Sequence, residues 1–153
     1  MKKICLIIMV LGATIFSQTG WAQDQDTVEY YTNSPTSLLS SAVRVGNILY
    51  LSGTMGRDPE TREMAKGAKA ETHQIMKTMK ATLEKYGSSM DEVVKCTVFM
   101  ANPDDRAVIN KAYRSYFGEH PPARSGVGNL ILAGTGTVEI ECMATVDLEK
   151  VNE

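Results

Sequence analysis

The stretch from Gly67 to Tyr86 constrains the fold more than any other part of the chain. Ala68, Thr72, Ile75, Met76, Met79, Leu83 and Tyr86 recur at three- and four-residue intervals. Lys69, Lys77, Lys80, Glu84 and Lys85 mostly take the other side. That period puts an apolar stripe on one face of an α-helix, and Gly87 stops the helix as a left-handed cap. The methionines on the stripe read as flexible core filler, not as a cofactor box. Such a helix has to lie on something apolar, and the runs to either side supply it.

Before the helix, Ser41 to Ser52 holds two short β-type runs around Gly46-Asn47, a hairpin connection in which glycine accepts a positive φ. A loop follows from Gly53 to Glu63, with Gly56 and Asp58-Pro59 as breakers. After the helix, Val93 to Met100 is a β-branched, apolar strand. Asn102-Pro103-Asp104-Asp105 then starts a second helix, with Asn as N-cap, Pro first and acids in the first turn. This helix is expected to run to about Phe117 with Val108, Ile109, Ala112, Tyr113, Tyr116 and Phe117 inward, until Gly118 and Pro121-Pro122 end it. Ala123 to Leu130 and Thr137 to Leu148 make two last strands.

The order β-β-α-β-α-β-β is an α+β domain with a single mixed sheet. Strand-helix-strand connections favour parallel neighbours with right-handed crossovers. Two helices cannot cover both faces of the sheet. They lie on one face and leave the other, partly apolar, to be buried by oligomerisation.

Residues 1–22 stand apart. A basic start at Lys2-Lys3, an apolar stretch from Ile4 to Phe16 and small residues at Gly20 and Ala22 have the form of a secretory signal peptide cleaved before Gln23. The stretch is too short to span a bilayer comfortably. Residues 23–36 are expected to be a polar leader, loose from Gln23 to Asn33, and residues 37–150 one domain in the periplasm or outside the cell. Two cysteines remain after cleavage, Cys96 and Cys142. They could oxidise in an exported protein. Two single buried thiols is the favoured reading, because a bridge between strands needs a particular Cβ geometry.

The net charge is −2 with pI about 5.7, and there is no basic run or basic-aromatic stripe, so nucleic-acid binding lacks electrostatic support. His73 and His120 are isolated and no Cys-x-x-Cys occurs, which argues against a metal. What chemistry remains gathers in the last third. Arg124 lies between Ala123 and Ser125 in a small-residue, Gly-flanked segment, and its planar fork suits a carboxylate. Glu139 and Glu141 alternate with Val138, Ile140 and Cys142, so the two acids share one strand face. A cation for a small acid and a carboxylate for a water make a hydrolytic site. The plainer alternative is a surface arginine beside a solvated acidic face.

Pro121-Pro122-Ala123-Arg124-Ser125-Gly126-Val127, then Val138-Glu139-Ile140-Glu141-Cys142-Met143-Ala144, preceded by Val94 to Phe99 and Asn110 to Phe117, resemble the YjgF/RidA family of imine deaminases from Ser40 to Val146. The resemblance implies a chorismate-mutase-like fold and a homotrimer with sites between subunits. It implies hydrolysis of 2-imino acids or 2-aminoacrylate-type enamines to 2-oxo acids and ammonia, with no cofactor. Arg124 matches the carboxylate-binding arginine and Glu139 the water-positioning glutamate, while Glu141 reads as structural or rim. Ser52 and Gly53 match a Ser-Gly at the pocket wall, although a strand-end hydroxyl satisfied locally would look the same. Asn110 matches a helix asparagine near the pocket, and the Gly126 amide would help hold the carboxylate. The pocket lining departs from the family: Leu39 stands in a tyrosine's place, Gly126 where cysteine is frequent, and Thr54 where glutamine is common. The alternatives are a non-catalytic trimer that binds small carboxylates, and an endoribonuclease, which the acidic balance disfavours.

Overall fold

The computed structural model describes residues 27–146. The expected signal peptide and the residues after Val146 lie outside that range. The strands are β1 (Val28–Tyr31), β2 (Ala42–Val45), β3 (Ile48–Leu51), β4 (Thr54–Met55), β5 (Val93–Met100), β6 (Ala123–Val127) and β7 (Val138–Thr145). The helices are α1 (Ala68–Lys85) and α2 (Arg106–Arg114).

One mixed sheet runs in the order β1-β2-β3-β7-β5-β6, with β4 also paired to β7. β5 and β6 are parallel neighbours joined through α2, as the strand-helix-strand order predicts. The crossover through α1 is different. β7 inserts antiparallel between β3 and β5, so those two are parallel without touching. The last strand of the chain is therefore central, gripped by β3 and β4 on one side and β5 on the other.

α1 forms where its stripe predicts, and Ile75, Met76, Met79 and Leu83 are wholly buried. Burial of each such side chain stabilises by about 1.5–3 kcal/mol. Gly87, at φ 78°, closes the helix. Ser88 N–H bonds the Leu83 carbonyl at 2.9 Å and Gly87 N–H that of Glu84 at 3.4 Å, the paired pattern of a Schellman end. Gly46, at φ 57°, makes the β2–β3 turn. The core lies between the helices and one sheet face. Leu49, Val98, Val138, Ile140 and Ala144 point into it.

Several expectations need correction. The leader is not loose throughout, because Val28–Tyr31 forms an edge strand on β2. Its side chains anchor it: Tyr31 stacks on Tyr86 at 4.2 Å between ring centroids, and Glu29 pairs with Arg44. The Gly53 to Glu63 loop contains β4. The second helix begins with a tight 3₁₀ turn at Pro103–Asp105, capped by the Asn102 side chain, and ends at Arg114. Val108 faces solvent, since the short helix buries only the side carrying Ile109, Ala112 and Tyr113. The strand from Ala123 stops at Val127, before Asn129 at φ 63°. The strand expected from Thr137 is regular over Val138–Thr145.

The reading of two single thiols is also corrected. Cys96 and Cys142 form a disulfide. They are direct cross-strand partners on β5 and β7, with Cα atoms 4.1 Å apart and both side chains on the helix side. That register is the geometry the sequence could not display.

Candidate functional site

Register decides which sheet face each candidate occupies, because residues paired across a sheet point the same way. Arg124 is paired with Cys96, which is buried under the helices. Arg124 therefore leans to the helix side. Glu139 is paired with Phe99 and Met55 on the opposite face. Within one chain the arginine and the glutamate stand on opposite sides of the sheet.

The Arg124 half is built by α2. Nη2 of Arg124 donates to Asn110 Oδ1 at 2.7 Å, and the guanidinium carbon lies 4.9 Å from the centre of the Tyr113 ring. Asn110 fixes one edge of the fork, and the aromatic face supports the cation from below. Asn110 and Tyr113 are three apart on one helix, so they present to the same spot. Burial pushes the Tyr113 hydroxyl up to about 12, with the Arg124 charge acting against it. The phenol stays neutral at physiological pH.

An open cleft of about 460 Å³ lies beside Arg124, lined also by Met100, Pro103, Arg106, Asn110 and Gly126. Arg106 brings a second cation to this cleft. It stands four residues before Asn110 on the same helix, a spacing that could have exposed it in the sequence. A Cβ on Gly126 would meet Met100 Cε at 3.7 Å, an ordinary contact, so sterics do not demand glycine there. All five residues of β6 are exposed. An open edge strand of this kind is normally covered by something.

The second half gathers Ser52, Gly53 and Glu139. A Cβ on Gly53 would fall inside the Glu139 carboxylate, so the acid lies flat against the Gly53 backbone. The Ser52 hydroxyl donates to the Ser40 carbonyl at 2.7 Å. It is satisfied locally, and it pins the end of the loop that carries Leu39. Ser52, Gly53, Thr54 and Leu39 line another cleft of about 490 Å³. Glu141 belongs to neither half. It borders a small hollow on the bare sheet face with Tyr50, Lys95, Thr97 and Met143.

The structure thus brings Arg124, Asn110 and Gly126 together, and separately Ser52, Gly53 and Glu139. Sequence reasoning took Tyr113 for core alone and passed over Arg106. It also passed over Glu71, whose buried carboxylate bonds Thr137 and Val138. Among the described residues, no group of three or more His, Cys, Asp or Glu could hold a metal ion. No helix among them is long and apolar enough to cross a membrane.

Comparison with known proteins adds the following. Residues 32–146 match the family model described as Endoribonuclease L-PSP. A RutC family protein of Pyrococcus abyssi is 39% identical over 111 residues, 72% of this chain and 87% of that protein. A 2-iminobutanoate/2-iminopropanoate deaminase of Dermatophagoides farinae is 39% identical over 114 residues, 74% of this chain and 89% of that protein. The crystal structure of RidA from an Antarctic Psychrobacter superposes with a TM-score of 0.70 at 38% identity, covering 74% of this chain and 92% of that one.

Proposed function

The chain belongs to the YjgF/RidA family, whose model carries the endoribonuclease description, and from that premise we propose that it hydrolyses reactive 2-imino acids and their enamine tautomers to 2-oxo acids and ammonia. The observation that carries this reading is the Arg124–Asn110 pair beside an open cleft. Asn110 occupies one N–H of the fork, and the remaining donors take the substrate carboxylate.

Glu139 orients a water toward the imine carbon. It takes a proton from that water as the C–O bond forms and returns one to the nitrogen. Collapse of the carbinolamine expels ammonia and leaves the 2-oxo acid. Because the imine is already reactive, positioning supplies most of what is needed. Opposite sheet faces keep Arg124 and Glu139 of one chain apart, so we assign the complete site to a cleft between copies in a homotrimer. The exposed β6 edge and the bare sheet face support that assembly.

The Cys96–Cys142 disulfide favours an oxidising compartment. Together with the signal-like residues 1–22, it supports the reading of a mature protein in the periplasm or outside the cell. RNA cleavage draws no support from the charge balance. The test is ammonia and 2-oxo acid release from imines generated by an amino-acid oxidase. Faster imine decay with the mature chain, lost in Arg124→Ala, is the expected result. No acceleration across small, branched and aromatic imino acids would sink the reading and leave a carboxylate-binding protein, the alternative that Leu39 and the locally bonded Ser52 favour.

A further inference from the structure

Glu71 is a buried acid that imine hydrolysis leaves unused. It lies in the first turn of α1 and is 2% exposed. Its Oε2 accepts from the backbone N–H of Thr137 at 2.6 Å and from that of Val138 at 3.2 Å. Its Oε1 accepts from the Thr137 hydroxyl at 2.9 Å. All three bonds land on the two residues immediately before Glu139.

The backbone is cleared to admit this side chain. A Cβ on Gly56 would lie 2.5 Å from the Glu71 Cα, and one on Gly136 would lie 3.2 Å from Oε2. The opposite side of Thr137 is also fixed, since its carbonyl accepts from Ala101 N–H at 2.9 Å. Downstream, Glu139 is paired with Met55 and Phe99 and rests on Gly53. The segment that delivers Glu139 is therefore held laterally by two strands and at its entry by Glu71. Without that acceptor, two amides and a hydroxyl would be left to find other partners, and burial makes that costly.

We propose that Glu71 is a positioning residue that sets the entry of β7 and thereby the place of the Glu139 carboxylate, a role that rests on the imine-hydrolase reading of Glu139. A displacement near 1 Å at a reacting group can cost as much as a hundredfold in rate. Glutamine can keep the network: its oxygen accepts from both amides, and its NH₂ donates to the Thr137 hydroxyl. The geometry therefore asks for an acceptor at this position more than for a negative charge.

The experiment compares Glu71→Ala, Glu71→Gln and Arg124→Ala in steady-state imine hydrolysis, with melting temperature and oligomer size as controls. For Glu71→Ala we expect kcat to fall roughly tenfold or more with KM within about twofold, and for Glu71→Gln near-normal kcat. Arg124→Ala should instead raise KM. If Glu71→Ala does not fold, Thr137→Val removes one of the three bonds and should lower kcat about threefold. A folded Glu71→Ala with unchanged kcat overturns the proposal, as does a Glu71→Gln protein as slow as the alanine variant. Hydrogen exchange at Thr137, Val138 and Glu139 is read in parallel. A wild-type protein that leaves imines untouched defeats the deaminase reading by itself. Exchange that is unaltered in Glu71→Ala defeats the positioning role whatever the activity.

Discussion

Arg124 carries two commitments at once. Its hydrogen bond to Asn110 and its seat on Tyr113 hold the guanidinium before any ligand arrives. Lysine could keep the charge but not the planar fork or both contacts. Arg124→Lys should therefore raise KM for imino acids by roughly ten- to a hundredfold, the loss of a charge-assisted bond worth about 1.5–3 kcal/mol, with a smaller change in kcat. Asn110→Ala should act in the same direction but more weakly, about fivefold in KM, because it loosens the fork without removing it. An Asn110→Ala protein whose kcat falls while KM holds would place Asn110 in the chemistry instead of the binding. Small residues around Arg124 and alternation along the strand of Glu139 and Glu141 are local signals, but only the family resemblance separates Glu139 from Glu141 and gives Arg124 a role beyond a surface charge. Glu71 has neither kind of signal. Its hydrogen-bond partners lie 66 and 67 positions further along, and nothing near Glu71 in sequence announces them.

The same division between local and remote causes governs the elements. α1, the β2–β3 hairpin and β5 were legible because period, turn glycine and β-branching act within a few residues. β1 and the disulfide were not, because each exists through a pairing that only the assembled sheet provides. Both make predictions. The Glu29 carboxyl is held below the usual carboxylate range, first by the Tyr31 hydroxyl and then by Arg44. A carboxyl with a lowered folded pKa stabilises fully above its unfolded value and loses that contribution as pH falls through the folded one. The Glu29 anchor of β1 should thus weaken as the solution is acidified below the ordinary carboxylate range, a small effect because the group is exposed. Tyr31 and Tyr86 resonances would shift together there, and Glu29→Gln would flatten the response. For the cross-strand bridge, Cys96→Ala with Cys142→Ala should cost about 2–4 kcal/mol and lower Tm by on the order of 10 °C. An unchanged Tm, or free thiols in the unreduced native protein, would contradict the bridge.

At the scale of the whole molecule, the sheet itself separates the two halves of the chemistry. Arg124 shares a face with Cys96, Glu139 shares the other with Phe99, and a central β5 stands between their strands. No side-chain rotation carries either through the sheet, so the hydrolytic site proposed above needs the arginine of one copy to meet the glutamate of another. With substrate held well below the raised KM of Arg124→Ala, that variant and Glu139→Gln should each show almost no activity alone. When the two are unfolded together, mixed in equal amounts and refolded, activity should return. Random assembly gives each site an even chance of an intact arginine and, independently, an even chance of an intact glutamate, so about a quarter of wild-type activity is expected in a closed ring. Recovery should need subunit exchange, so simple mixing of folded oligomers should restore less, or restore it slowly. A site made within one chain would leave every mixture dead. Light scattering on the same samples would then show whether the restored activity travels with a trimer.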